Sequence, residues 1–464
     1  MKNQWWKHRL ARIASGLFLI LAVAACTTLP DVRNLSSTLT PKATPTVTGS
    51  QGVLPATKAE SILAKRLRNA RIDAQALAAL EEAATGSPLI AGNKVTLLYD
   101  GPETMQAMIA AISSATDSIN LETYIFDQDE LGQRFANLLI ERQRAGVQVN
   151  IIYDSVGTLG TPAEFFERMR AAGIQLVEFN PINPFKRLAW WRLNHRDHRK
   201  ILVVDGRIGF TGGLNITGDY SNSSLFRSRR KRTGAAVGWR DTHVQIEGPA
   251  VASLQWLFLD TWAQQRPNDL LQRDYFPHLN LAGDKIVRVL GSAPGGDPTI
   301  YKAYVLAIQE AKKTIHITTP YFVPDQQILD ALKQAAQRGV EVKMLLPSVS
   351  DSKLVLNAGQ SFYSDLLMSG IEVYQLQVAV LHAKTAVIDG SWSTVGSANL
   401  DLRSFLHNSE VNVIVLGTDF GQLMESAFQD DLRDARRITL DEWEQRPLGN
   451  RLKEWAARRL EYWL

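Results

Sequence analysis

The chain has 464 residues, with 51 Lys and Arg against 47 Asp and Glu, 45% hydrophobic residues and one cysteine. Charge and apolar content near the globular average exclude collagen-like, coiled-coil and wholly disordered classes. The length allows roughly two or three domains with a sizeable core, and a lone cysteine excludes an intrachain disulfide framework.

In chain order, the first expected element is a targeting signal. Lys2, Lys7, Arg9 and Arg12 precede an apolar run from Ile13 to Ala25, which is short of the about 20 residues a spanning helix needs. Val23-Ala24-Ala25-Cys26 resembles a bacterial lipobox. Residues 1–25 are therefore expected to be a removed signal peptide and Cys26 the lipidation site. This implies a bacterial membrane-anchored lipoprotein facing the periplasm or cell exterior. Thr27, where an Asp would signal inner-membrane retention, allows an outer-membrane location. Residues 1–25 hold four basic and no acidic side chains, so the remainder carries 47 of each sign and the overall +4 belongs to the signal. Residues 26–57, rich in Thr, Ser and Pro, are expected to form a flexible tether. Lys58–Thr85 is Ala-, Leu- and Glu-rich and predicts one or two helices opening the folded body.

The body repeats itself. A strand-like run Ser118–Phe126 leads into a helical segment to Arg144, a stop at Gly146 and an apolar strand Val147–Tyr153. Thr314–Phe322, a helical run Gln326–Arg338, Gly339 and Val340–Leu346 follow the same plan. Strands alternating with helices predict an α/β fold with parallel sheet, and the short, wholly apolar runs Ile201–Val204 and Thr385–Ile388 suit strands covered on both faces.

Each half carries a motif. His198, Lys200 and Asp205 are followed by Gly212, Gly213 and Asn215; His382, Lys384 and Asp389 are followed by Gly396, Ser397 and Asn399. In both copies His to Lys is two positions, His to Asp seven and His to Asn seventeen. A single copy would be a weak signal; two with common offsets are a strong one. On a strand, residues i and i+2 share a face, so each His and Lys should project together, while the Asp should support the site from behind or anchor a turn. The small residues would allow close approach of backbone to a ligand, and Asn215 and Asn399 would offer amide donors. Two imidazoles and two ammonium groups suit phosphodiester chemistry without a metal. No H-E-x-x-H, C-x-x-C or P-loop spacing occurs. His195, close to the first motif, is a candidate supporting residue, while His243, His278, His316 and His407 read as structural or solvated.

With the stretches WRDTHVQIEGPAV and TPYFVPD and the terminal DEWEQRPLGNRLKEWAARRLEYWL, these motifs resemble the phospholipase D superfamily, and within it the bacterial cardiolipin synthases. The resemblance implies two similar phospholipase D-like α/β halves, 58–285 and 286–464, packed as a pseudo-dimer with the active site between them. It implies a catalytic set of His198, Lys200, Asp205, His382, Lys384 and Asp389. Here His198 is the nucleophile, Asn215 and Asn399 are phosphate-binding or supporting groups, and Asp241 and Glu410 orient the histidines. The implied reaction joins two phosphatidylglycerols into cardiolipin and glycerol through a phosphohistidine; hydrolysis to phosphatidic acid is the near alternative, and a non-catalytic lipid-binding lipoprotein the distant one. Partners would be anionic phospholipid at a membrane surface and glycerol or another alcohol. No cofactor and no nucleic acid is expected, the latter given the neutral balance beyond the signal.

The halves differ by two insertions in the first. Gly173 to His198 spans 25 positions against 12 for Gly370 to His382, and Asn215 to Asp241 spans 26 against 11 for Asn399 to Glu410. These insertions carry Trp190, Trp191, Arg227, Arg229, Arg230 and Arg232, and are expected to form a lip that meets anionic lipid. At the C-terminus, Leu452, Ala456, Leu460 and Leu464 share a helical face near Trp455 and Trp463. That pattern allows either an interfacial helix or one packed on the body.

Overall fold

The computed structural model describes residues 28–68, 70, 72–182, 194–220, 238–266, 270 and 273–464. The signal segment, Cys26 and most of both basic insertions lie outside the described residues. Among the described residues no helix is long and apolar enough to cross a membrane.

In the first half the strands are β1 (Val47–Gly49), β2 (Leu89–Leu98), β3 (Ser118–Thr123), β4 (Gln148–Asp154), β5 (Gln175–Phe179), β6 (Ile201–Val204), β7 (Ile208–Gly212) and β8 (His243–Glu247). The second half supplies β9 (Lys285–Ser292), β10 (Thr314–Thr318), β11 (Glu341–Pro347), β12 (Glu372–Leu376), β13 (Thr385–Ile388), β14 (Trp392–Gly396), β15 (Asn408–Leu416) and β16 (Ala435–Ile438). Hydrogen bonding orders them β5-β4-β3-β6-β7-β8-β2 in one half and β9-β15-β14-β13-β10-β11-β12-β16 in the other. The sheet is mixed. β3, β4 and β5 run parallel, as do β10, β11 and β12, and the remaining neighbours in this order pair antiparallel.

The halves meet where β2 pairs antiparallel with β9, Ile90 opposite Val287. Equivalent strands meeting antiparallel give the sheet an approximate two-fold axis, the geometry of a dimer within one chain. A single apolar cluster crosses this seam, with Ile90, Ile201, Val203, Val244 and Ile246 of one half packed with Val287, Val387, Val395, Val411 and Val413 of the other. β6 is buried along its whole length, which accounts for its lack of apolar–polar alternation.

Local signals are duplicated too. The crossover helices α1 (Glu130–Arg144) and α2 (Gln326–Gln337) begin at Asp129 and Asp325, whose carboxylates accept from the Gly132 and Ile328 amides at 2.9 and 3.2 Å. They stop before Gly146 and Gly339, at φ 95° and 85°, a conformation that glycine adopts without strain.

Two expectations are corrected. The 26–57 segment is no free tether beyond Asp31. β1 pairs parallel with β2, Val32 and Val47 are buried, and the Val32 amide donates to the Gln327 side chain at 2.7 Å. Nor does residue 58 open a first-half domain. The helix Ala74–Thr85 packs on Thr299–Glu310 of the second half, burying Glu81 against the Arg288 guanidinium and the Trp392 indole N–H at 2.7 Å. The apolar side of an Ala-rich helix does not announce its acceptor in sequence.

Candidate active site

A short crossing of strands builds the site. Asn408 and Ser409 pair with Arg196 and Asp197 of the other half, and the His198 amide donates to the Ser409 carbonyl at 2.9 Å. Trp239 and Arg240 pair with Val380 and Leu381, and the His382 amide donates to the Arg240 carbonyl at 2.8 Å. One residue further along each register stands a carboxylate opposite a histidine. His198 Nδ1 lies 3.0 Å from Glu410 Oε1, and His382 Nδ1 lies 2.6 Å from Asp241 Oδ2. Each imidazole is thus held by the half that did not supply it. His198–Lys200 links that crossing to β6, and Lys200 and Lys384 each donate to the carbonyl of the histidine two residues before.

All four motif side chains are buried. Burial pushes His198 down to about 4 against the opposing pull of Glu410, and burial with Lys384 pushes His382 down. Burial alone would raise the two carboxylates, but hydrogen-bonded His382 together with Lys384 holds Asp241 low, and His198 together with Lys200 and the Ser397 hydroxyl does the same for Glu410. Each couple therefore sets an imidazole of depressed basicity against a carboxylate held low. A carboxylate at Nδ1 fixes the N–H there and leaves the Nε2 lone pair free. Burial also lowers Lys200 to about 7 and Lys384 to about 8. Lys384 lowers His198 and Lys200 in turn, so both motifs bear on one site.

Asp205 and Asp389 do not belong at the reacting centre. Each opens a hairpin turn with φ 52°, followed by a glycine at 61°. Asp205 accepts from the amides of Thr116, Asp117 and Ser118 at 2.8–2.9 Å, and Asp389 from those of Lys312, Lys313 and Thr314 at 2.7–2.9 Å. They pin the start of β3 and β10. The invariance of the seven-residue offset between the two copies is the length of strand from histidine to turn.

The small residues after each motif face neighbouring protein groups, not an open ligand surface. A Cβ on Gly213 would stand 2.0 Å from Asp241 Oδ1, and one on Gly396 2.2 Å from Asn412 Oδ1. In the second half Ser397 takes the place of Gly213 and its hydroxyl donates to Glu410, joined by the Asn408 amide at 3.1 Å. Asn215 Oδ1 accepts from the Ile125 amide at 3.2 Å, while Asn399 Oδ1 is buried without a protein partner. His243 Nδ1 accepts from the Leu214 amide at 3.3 Å, His195 offers its carbonyl to Arg196, and His316 stacks on Phe428 between Glu341 and Glu425.

Four aromatic and polar neighbours have no counterpart in the motif spacing. The Tyr124 ring meets His198 edge-on at 5.1 Å with Lys200 Nζ over its face, Trp239 lies 4.8 Å from His382, and the Tyr220 hydroxyl is 3.1 Å from His382 Nδ1. Arg240, buried over the Tyr99 ring, forms a two-pronged bond to Asp431 at 2.8 Å and fixes the strand that presents Asp241. Trp239 and Arg240 adjoin Asp241 in WRDTH and were open to suspicion on that ground; Tyr220 follows Asn215 without a second-half partner and carried no signal. Among the described residues no cluster of three or more His, Cys, Asp or Glu is arranged to hold a metal.

Known proteins match the chain in both halves. The profile of the family described as "Cardiolipin synthase, PLD-like domain" matches residues 108–225 and 304–432, one motif in each segment. The chain is 37% identical over 377 residues to a cardiolipin synthase of Geobacillus kaustophilus, covering 80% of this chain and 73% of that one. It is 35% identical over 373 residues to the major cardiolipin synthase ClsA of Bacillus subtilis, with 79% and 75% covered. In fold it matches the crystal structure of phosphatidylserine synthase from Haemophilus influenzae at a TM-score of 0.61 and 14% identity, over 80% of this chain and 95% of that one. The chain, matched in both of its α/β halves, belongs to the phospholipase D-like cardiolipin synthase family of phosphatidyltransferase enzymes.

Proposed function

We propose that the protein joins two phosphatidylglycerol molecules into cardiolipin and glycerol at a membrane surface. The observation that carries the reading is the pair of buried imidazoles, each held at Nδ1 by a buried carboxylate of the other half, beside two lysines. His198 Nε2 attacks phosphorus, forming a P–N bond as the P–O bond to the headgroup glycerol breaks. His382, which gains its proton once the lipid phosphate adds negative charge to the site, hands that proton to the departing oxygen. It then takes a proton from the terminal hydroxyl of a second phosphatidylglycerol, whose oxygen displaces the imidazole from phosphorus. Lys200 and Lys384 neutralise the phosphoryl oxygens throughout, with Asn215 and Asn399 lining the phosphate's position. Anchoring at Cys26 on the outer side of a bacterial membrane would hold the enzyme beside its substrate, a reading supported by the Val23–Cys26 sequence.

The test is purified protein with labelled phosphatidylglycerol, with and without excess glycerol. Cardiolipin that falls as glycerol is added supports transfer; phosphatidic acid alone assigns hydrolysis, and no turnover assigns a binding protein. His198→Asn must abolish both turnover and acid-labile label on the protein.

A further inference from the structure

The C-terminal helix α3 (Leu448–Arg458) is seated the wrong way round for a core helix. It packs along the Lys353–Gln360 helix through Ala457 and Glu454, the latter buried on the Arg446 guanidinium at 2.8 Å. Its apolar stripe lies on the opposite side. Leu448, Leu452 and Trp455, at the i, i+4, i+7 spacing of one helical face, are 73%, 67% and 60% exposed, and Leu460 and Trp463 extend the stripe at 44% and 54%. Five cations and one carboxylate fall between residues 446 and 460, and that carboxylate is the buried Glu454, so the exposed flank of Arg451, Lys453 and Arg459 is unopposed within it. The Arg459 guanidinium rests 5.2 Å from the Trp455 ring.

The chain's end is tied to the approach of the active site. Arg403 Nη1 donates both to the Trp463 carbonyl at 3.3 Å and to Asn194 Oδ1 at 3.0 Å, bridging the chain's end to the approach of His198. The helix beneath α3 follows Asp351, which accepts from the Tyr321 hydroxyl at 2.6 Å and feels the charges of His382 and Lys384.

We propose that Leu448–Trp463 is a membrane-docking element that beds its Leu and Trp side chains into an anionic bilayer and turns the active site toward lipid. The inference rests on the lipid-substrate reading above. Indoles and leucines edged by cations, with Glu461 beside Arg458 as the one exposed carboxylate of the element, fit the interface of an anionic membrane. Five such side chains offer roughly 500 Å², short of the about 800 Å² per partner of a standard protein interface.

The test uses the full chain carrying Cys26→Ser throughout, so that no acyl chain contributes to binding. Leu448→Gln/Leu452→Gln/Trp455→Gln is expected to lower partition onto phosphatidylcholine–phosphatidylglycerol vesicles by roughly tenfold or more. Cardiolipin formation on those vesicles falls with it, while turnover of short-chain monomeric phosphatidylglycerol stays unchanged. Arg451→Gln/Lys453→Gln/Arg459→Gln should remove the preference for anionic over pure phosphatidylcholine vesicles. Unchanged vesicle partition in the first variant overturns the proposal, as does a wild-type dimer that the variant dissociates. Absence of turnover on every phosphatidylglycerol in the parent, with vesicle binding intact, would instead refute the functional reading and leave the docking surface standing.

Discussion

Glu410→Gln is the most exacting perturbation, because it is nearly isosteric and sits across the seam from the histidine it serves. In the wild type Glu410 receives the Ser397 hydroxyl, the Asn408 amide and, at 3.0 Å, the His198 Nδ1 position. Gln can keep its oxygen on the Ser397 hydroxyl and thereby turns its NH2 toward Nδ1. The imidazole must then accept at Nδ1 and carry its proton on Nε2, the nitrogen that has to attack phosphorus. The charge is lost as well. Opposite unit charges about 4 Å apart at an effective dielectric of about 20 interact by roughly 4 kcal/mol, which is about a thousandfold in rate when one of them forms only as the reaction proceeds. The two effects together predict a fall in kcat of about 10³ to 10⁴, with KM and the unfolding midpoint little changed. The assay is single-turnover formation of protein-bound label from phosphatidylglycerol. Asp241→Asn should separate the steps, because it disarms His382 and slows departure and capture of the alcohol. A Glu410→Gln enzyme within tenfold of wild type, or a Glu410→Gln that impairs only the His382 step, would refute the crossed assignment.

Other outcomes follow from the same contacts. Burial holds Lys200 near 7 and Lys384 near 8, so both are charged below those values and lose charge as pH rises. Accordingly, kcat/KM should decline through about pH 7–8, and Lys200→Arg, which keeps its charge, should move that alkaline limb upward even if the rate drops; an unmoved limb counts against lysine titration. Asp389→Asn, removing an acceptor of three amides, should cost about 2 kcal/mol in denaturant unfolding while kcat of the folded enzyme stays within about threefold, since Asn tolerates the left-handed turn. A collapse of kcat without loss of stability would return Asp389 to the catalytic set. Glu81→Ala leaves the Arg288 guanidinium buried and unpaired, and should cost about 3–5 kcal/mol; a cost below about 1 kcal/mol by urea titration would mean that the Ala74–Thr85 helix does not cap the second half.

The duplicated motif was legible because chemistry and geometry both repeat at fixed offsets within each half. The histidine, lysine and asparagine positions, the α/β alternation and the helix stops at Gly146 and Gly339 all follow from short-range spacing. The pairing of His198 with Glu410 was not, since it depends on the register of Asn408 against Arg196, and no local pattern encodes a contact between halves. The docking of residues 32–57 was hidden for a related reason: Val32 and Val47 are isolated apolar residues in a polar run, without periodicity to mark their burial. Composition described the C-terminal helix correctly as amphipathic, yet which side touches the body was decided by Ala457 and the Arg446–Glu454 pair.

The crossing also sets a clock on the enzyme's birth. His198 and Glu410 are 212 residues apart, and Asp241 and His382 are 141 apart. At synthesis rates of about 5–20 residues per second, His198 waits roughly 10 to 40 seconds for the residue that fixes its tautomer. A nascent or truncated chain carries a histidine, even a whole half, that cannot yet be armed. On the reaction proposed above, the attack on phosphorus is thereby withheld until Glu410 has been made and the two halves have closed on each other.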